Sequence, residues 1–508
     1  MRILFVASEG LPFSKTGGLA DVVEALPKAL VEIGNEVAIV LPRYRGTRAA
    51  TVVMPSMTIP TGAGLRFPAV ADGTVIAGVR YFFVDDPEYF NREQLYGEQG
   101  KDYPDNAERF GEFSRAAIEI AKHIWPPDVI HCHDWQTAPV PVLLRTLYAA
   151  DPLVRAIPVV FTIHNMGYHG QFPRAVLAEL GLPENLFRMD ALEFFGKVNF
   201  LKGGLIYSDF LTTVSKRYAQ EIQTPEFGHG LDGVVRDRAA QLRGILNGAD
   251  YSIWSPEKDT LIAARYSAKD LTGKKACKRD LLEQFKLDAT DLQRPLIGIV
   301  SRFAAQKGFD LIEEIADDLL SDGAAIVALG AGEPRYESLF RELAGKYPRQ
   351  VGVKIAYDNA LAHKIEAGAD MFLMPSHYEP CGLNQMYSLH YGTVPIVRAT
   401  GGLDDTIEQY DATTGKGTGF KFAEYNSQAL LKSVRQALAV YRTPQAWQKL
   451  QVTGMSRDYS WRASAIEYAQ VYEGARKARI VPVARSSNSV LKREGAAAPA
   501  IKEKGTHG

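Results

Sequence analysis

Short apolar runs alternate with longer amphipathic stretches along most of the 508-residue chain. The run RILFVA is apolar after its Arg and is closed by Ser8 and Glu9. Too short for the core of a secretory leader, it predicts a buried strand. From Leu19 the apolar positions fall at Leu19, Val22, Val23, Leu26, Leu30 and Ile33, a helical spacing that stops at Gly34. The alternation continues through EVAIVLP, VRYFFV, DVIHCHD, IPVVFTIHN and DFLTTVS, then through PLIGIVSR, AAIVALG, VKIAYD, MFLMPS and VPIVRA. Strands that alternate with helices predict an α/β protein with parallel, doubly wound sheets covered by helices on both faces.

The rhythm breaks at LNGADYSIWSP, and the charged segment KDLTGKKACKRDLLEQF precedes the next strand. A domain junction is therefore expected within residues 247–255. The expected organisation is a first Rossmann-like domain over 1–248, a second over 249–460, and a terminal helix over 461–484. Residues 485–508 lose periodicity and are rich in Ser, Ala, Gly and charge, so they are expected to be disordered. The length itself exceeds what one core usually serves.

Composition narrows the function. Hydrophobic residues make up 46% and charged residues 23%, and no apolar run is long enough to cross a bilayer. The 58 basic and 59 acidic residues leave a net charge of −1, so no global field draws nucleic acid, and any anion site must be local. Cys132, Cys277 and Cys381 cannot all pair with one another and follow no zinc spacing. The expected setting is the cytoplasm, with no membrane or nucleic-acid partner and no cofactor.

Doubly wound sheets bind ligands beyond the carboxyl ends of their strands, and the chemistry-bearing motifs cluster there. SKTGGL places Lys15, Gly17 and Gly18 between a strand and a helix, where unpaired amides and the positive end of the dipole meet an anion. The alternative is that the Gly pair only shapes a turn and Lys15 is solvated. In HCHDW, His131 and His133 share a strand face, but no further ligand is near, so hydrogen-bonded buried histidines account for them better than a metal. Asp134 and Trp135 at that strand exit are candidates for a sugar site, as a carboxylate for hydroxyls and an indole for an apolar sugar face. His164 in FTIHNMGYHG is expected to face the cleft. SRFAAQKG puts Arg302 and Lys307 around a turn before a helix, where two cations suit a diphosphate or simply meet water. MFLMPSHYEPCGLNQMYSLHYG carries Glu379, Cys381 and Gly382 between a strand and a helix. A Cys at such a position raises a nucleophile hypothesis, which lacks a partnering His. LGAGEPRY holds only part of a dinucleotide fingerprint and does not support a nicotinamide enzyme.

Taken in order, KTGGLADV, HDW, IHN, SRFAAQKG, EPCGLNQMYSLHYG and RATGGLDDT resemble the bacterial and plant glycogen/starch synthases over roughly residues 1–480. The resemblance implies a GT-B fold and transfer of glucose from ADP-glucose to the non-reducing end of an α-1,4-glucan such as glycogen, with retention and without a metal. By the same resemblance Lys15, Gly17 and Gly18 meet the donor diphosphate, and Arg302 and Lys307 neutralise the leaving group. Glu379 holds the donor glucose, Gly382 and Leu383 approach sugar and phosphate, Tyr357 stacks on adenine, and Asn247 faces the donor from the hinge. His164 sits against the reacting glucose, and Tyr96, Asp134 and Trp135 belong to the sugar and acceptor side. The terminal helix is expected to pack back on the first domain. Three positions depart from the pattern: Tyr387 stands where many retaining GT-B enzymes have a second Glu, a change that the synthases commonly share, Asn384 where Thr is frequent, and Phe303 where Leu is usual. Retention without a nucleophile implies same-face displacement, with the departing diphosphate taking the acceptor's proton. The rival readings are a UDP-glucose-dependent enzyme of the same fold, a phosphorylase, and a glucan-binding scaffold without catalysis.

Overall fold

A computed structural model describes residues 1–48, 51–73, 75–98 and 101–480. The tail expected to be disordered, 485–508, and residues 481–484 of the expected terminal helix lie outside the described residues.

The ten strand-like runs after the first all form strands, and they sort into two sheets. In the first, seven parallel strands lie in the order Leu242–Gly244, Phe210–Thr213, Val159–Ile163, Val129–His133, Arg2–Val6, Glu36–Pro42 and Arg80–Asp85. Two antiparallel strands, Ala69–Asp72 and Thr51–Met54, extend its edge. The second sheet is wholly parallel, in the order Val351–Ile355, Ala325–Gly330, Leu296–Val300, Met371–Met374, Val394–Arg398 and Phe420–Phe422. Its strands Ala325–Gly330, Leu296–Val300 and Met371–Met374 are apolar throughout because helices cover both faces. Each sheet winds outward from a central strand, first to one side and then to the other. The direction reverses between Arg2–Val6 and Val129–His133 in one sheet, and between Leu296–Val300 and Met371–Met374 in the other. Ligands bind at such reversals, beyond the carboxyl ends of the strands.

The chain passes between the sheets twice, and the two passages touch. The Ala249 amide donates to the Tyr459 carbonyl at 2.7 Å, and Ala249 bridges Ser460 in parallel. A Cβ on Gly248 would come within 2.5 Å of the Trp461 backbone, so glycine is what lets the two passages cross this closely. After the second passage, helix Trp461–Ile480 returns to the first sheet. Trp461, Ala465, Tyr468, Tyr472 and Ala475 recur at helical spacing and are buried with Ile3, Phe5 and Ile39. Each large side chain in that stripe contributes about 1.5–3 kcal/mol of burial. Ser464 Oγ donates to the Leu246 carbonyl (2.6 Å), and Arg479 pairs with Asp209 (2.8 Å). Tyr472 also hydrogen-bonds His131 Nδ1 at 2.8 Å, and His131 Nε2 meets Thr162 Oγ1 at 2.6 Å. His131 thus serves the join between helix and sheet.

Candidate active site

Both reversal points open into one cleft of about 1180 Å³. On the first sheet's wall, strand Arg2–Val6 leads into a loop that ends at helix Gly18–Glu32. Buried Glu9 shapes this loop by accepting from the Thr16 amide (2.5 Å) and the Thr16 hydroxyl (2.8 Å); burial pushes its carboxyl pKa up. Helix Gly18–Glu32 has no side-chain cap at its start. A Cβ on Gly18 would meet no atom within 4 Å, and one on Gly17 only Glu9 Oε1 at 3.9 Å. These glycines therefore leave space that the protein itself does not fill.

Opposite them, strand Leu296–Val300 exits to Arg302 and Lys307, and Met371–Met374 exits to Glu379. Gly308 has φ +73°, and a Cβ there would fall 2.1 Å from the Pro375 carbonyl, so glycine lets the two exits lie together. Lys307 Nζ donates to Glu379 Oε2 at 2.6 Å, and Ser376 Oγ donates to the same oxygen at 3.0 Å. Arg302 is exposed, and its guanidinium makes no ion pair among the described residues. The RATGG motif lies behind this loop. Gly401 has φ +44° and a Cβ there would sit 2.0 Å from the Glu379 carbonyl, while one on Gly402 would sit 2.1 Å from the Cys381 carbonyl. Gly382, at φ +71°, turns the chain, and the Gly382 and Leu383 amides donate to no protein acceptor among the described residues.

The remaining wall comes from the exits of Val129–His133 and Val159–Ile163. Asp134 has φ +56° and accepts from the His164 amide at 2.7 Å. Burial raises the Asp134 carboxyl to about 7. His164 Nε2 meets His133 Nδ1 at 3.0 Å, and burial lowers the His164 imidazole to about 3, so it is neutral at physiological pH. Burial, with His131 and His164 as neighbours, also holds His133 well below the ordinary range. Tyr96 OH bonds Ser8 Oγ at 2.8 Å. Asn247 lines the cleft with its Oδ1 buried and without a partner.

Twelve of the fourteen candidate residues thus line one cleft: Gly17, Gly18, Tyr96, Asp134, Trp135, His164, Asn247, Arg302, Lys307, Glu379, Gly382 and Leu383. Lys15 and Tyr357 are not part of the lining. Lys15 pairs with Asp21 at 2.6 Å, and Tyr357 is 83% exposed past its strand. Trp135 is only 8% exposed and packs edge-on against Phe110, so it offers little open face. The Cys381 thiol is buried and burial pushes its pKa up, which removes the nucleophile hypothesis. Of the three departures, Tyr387 stacks on Trp254 at 4.2 Å away from the cleft lining. Asn384 Nδ2 donates to the Val300 carbonyl at 2.7 Å, and Phe303 packs against Phe340. Glu9 and Ser376 also line the cleft but were not singled out from sequence. Their signal was position alone: each lies at or just past the carboxyl end of a central strand.

Two doubly wound sheets with a polar cleft between their carboxyl ends are the GT-B architecture of glycosyltransferases. The starch synthase catalytic domain family matches residues 2–237, and the group 1 glycosyl transferases match residues 283–450. Glycogen synthase of Koribacter versatilis is 57% identical over 94% of this chain and 99% of its own, and that of Syntrophotalea carbinolica 45% identical over 94% and 99%. The catalytic domain of starch synthase IV from Arabidopsis thaliana, solved bound to ADP and acarbose, superposes with a TM-score of 0.84 at 36% identity, over 94% of this chain and 99% of that one. Sucrose-phosphate synthase from Thermosynechococcus elongatus, at 18% identity and a TM-score of 0.59 over 94% and 99%, shares the fold. The chain belongs to the glycogen synthase family and is a glycosyltransferase of that family. No helix among the described residues is long and apolar enough to cross a membrane.

Proposed function

We propose that the cleft transfers glucose from ADP-glucose to the non-reducing end of an α-1,4-glucan, with retention at the anomeric carbon. One observation carries the reading: the start of helix Gly18–Glu32, which has no side-chain cap, and the cations Arg302 and Lys307 line a single cleft from opposite sheets. A diphosphate has the charge to engage both. The starch synthase IV structure, bound to ADP and acarbose, supports the choice of nucleotide and of a sugar chain.

In this reading Lys15 leaves Asp21 to reach the diphosphate. Glu379 Oε1, the oxygen that neither Lys307 nor Ser376 engages, accepts from hydroxyls of the donor glucose, and Asn247 Oδ1 accepts from the donor at the hinge. The Gly382 and Leu383 amides donate to sugar and phosphate, and Tyr357 covers the adenine. Neutral His164 stands beside the reacting glucose, its backbone held by Asp134. Tyr96, Asp134 and Trp135 form the acceptor wall. The bond from the anomeric carbon to the phosphate oxygen breaks with its electron pair on the diphosphate, which Arg302 and Lys307 stabilise. The acceptor hydroxyl oxygen bonds to the same face of that carbon, and its proton passes to the departing phosphate. Positive charge comes from the protein, with no metal assigned.

The working units are 1–248 and 249–460, with 461–484 returning to the first, and the paired passages at Ala249 and Ser460 are the hinge on which the cleft closes. Three free, buried thiols suit a reducing cytoplasm. Initial rates with ADP-glucose and UDP-glucose onto glycogen, in excess chelator, test the proposal. Faster transfer from ADP-glucose is expected. A preference for UDP-glucose reassigns the donor, restoration only by a divalent ion overturns the metal-free chemistry, and transfer from neither leaves a glucan-binding scaffold.

A further inference from the structure

Residues 193–199 form a hairpin beside the cleft: Phe194 pairs with Lys197 and Glu193 with Val198, leaving Phe195 and Gly196 as a two-residue loop. Both loop residues have positive φ, +47° and +77°. Such loops call for Asn, Asp or Gly at the first position, because a larger side chain is strained there. Here that position holds Phe195, and its side chain is 84% exposed. Backbone strain and an exposed aromatic ring therefore coincide in one residue that contributes little to the core. Strain kept at no benefit to packing clusters at functional sites. Two other non-glycine residues with positive φ, Asp134 and His229, line the cleft.

The hairpin is held on both sides and continuous with the cleft. Lys197–Asn199 pairs on its other side with Gln171–Phe172. Lys202 Nζ, almost wholly buried, donates to the Met189 carbonyl (2.6 Å) and the Glu193 carbonyl (2.5 Å). Phe194 lines the cleft, and its ring meets that of Phe195 at 4.7 Å. A Cβ on Gly230, next to His229, would come within 3.6 Å of the Phe195 ring.

We infer that Phe195 is a docking platform for the acceptor outside the cleft, its ring stacking on the apolar face of a glucose unit in a long α-1,4-glucan whose end lies within. The inference rests on the glucan acceptor proposed above. A polymer that reaches the reacting centre must leave through the cleft mouth, and the ring stands beside the wall that Phe194 and His229 form. An acceptor of two or three units should end before the platform if the ring lies beyond the cleft mouth.

Phe195→Asn supplies the residue that the turn prefers, and Phe195→Trp keeps an aromatic face. With ADP-glucose as donor, the Asn variant should show a KM for glycogen raised on the order of fivefold to tenfold. Its kinetics on maltotriose and its KM for ADP-glucose should stay at wild-type values, while Tm rises by about 2 °C as the turn relaxes. The Trp variant should keep the wild-type KM for glycogen. Retardation by glycogen in native gels, which needs no donor, should weaken in the Asn variant. Wild-type glycogen KM and retardation in that variant would overturn the platform, as would an equal loss on maltotriose and glycogen. Absence of transfer by the wild type, with retardation still dependent on Phe195, would instead defeat the acceptor chemistry and leave the platform standing.

Discussion

Gly18→Ala separates a glycine that shapes a turn from one that admits a ligand. Gly18 is the first residue of its helix, its φ is not in the left-handed region, and an added Cβ finds no atom within 4 Å. Folding should therefore tolerate alanine, and the helix should gain up to about 1 kcal/mol from the lower entropy cost. A phosphate oxygen accepting from the Gly17 or Gly18 amide sits about 2.9 Å from nitrogen, whereas a methyl group demands a wider approach. The expected result is at least a tenfold weaker grip on ADP with an unchanged or higher Tm in its absence. At a concentration 100 times the wild-type Kd, ADP stabilises the wild type by about 2.7 kcal/mol and a variant with tenfold weaker binding by about 1.4. The ligand-induced rise in Tm should shrink by about 1 °C. Thermal melts with and without ADP, paired with kcat/KM for ADP-glucose, read both effects. Wild-type affinity and kinetics in the alanine variant would refute the reasoning and return the Gly pair to turn geometry.

Gly401→Ala should do the reverse and damage the fold: a Cβ there collides with the Glu379 carbonyl at φ +44°, so Tm falls by several degrees and activity is lost with it, which a melt and an assay on the same preparation check. Lys15→Ala should lower kcat/KM for ADP-glucose about 10- to 150-fold, while Asp21→Asn, which frees the ammonium, should not; equal losses in steady-state kinetics would make the Lys15–Asp21 pair structural. Asp134 titrates near 7 in the folded protein, against about 3.9 unfolded. Between those values the native state binds more protons, so this group's contribution to stability falls as pH rises, by at most about 1.4 kcal/mol per pH unit. The stability of wild type relative to Asp134→Asn should therefore decline from pH 4 to 7 in urea titrations, and a pH-independent difference would count against the raised value.

Sequence periodicity was enough for the two parallel sheets, because strands buried on both faces read as unbroken apolar runs. It missed Ala69–Asp72 and Thr51–Met54, where Val52 and Val53 are exposed and no alternating pattern survives. Leu242–Gly244 and Phe420–Phe422 are too short to carry any period. The glycines of SKTGGL and RATGG look alike in sequence and act differently: Gly18 borders empty space, whereas Gly401 gives way to the Glu379 carbonyl. Only the three-dimensional neighbourhood separates them. The partners of Lys15 and His131 were equally hidden, since Asp21 competes for the ammonium locally and Tyr472 reaches His131 across 341 residues. Glu9 was passed over because an acid after a strand ordinarily meets water, yet here the loop folds over it.

Hydrogen–deuterium exchange with and without ADP tests the central claim, that one diphosphate is gripped by both walls of the cleft. The Gly18 and Leu19 amides belong to a helix start without a side-chain cap and should exchange quickly without ligand. Saturating ADP should slow exchange in peptides spanning residues 9–20 and 300–308 together, with the same concentration dependence. Protection confined to 300–308, with the helix start unchanged, would contradict the account and place the nucleotide on the second sheet alone.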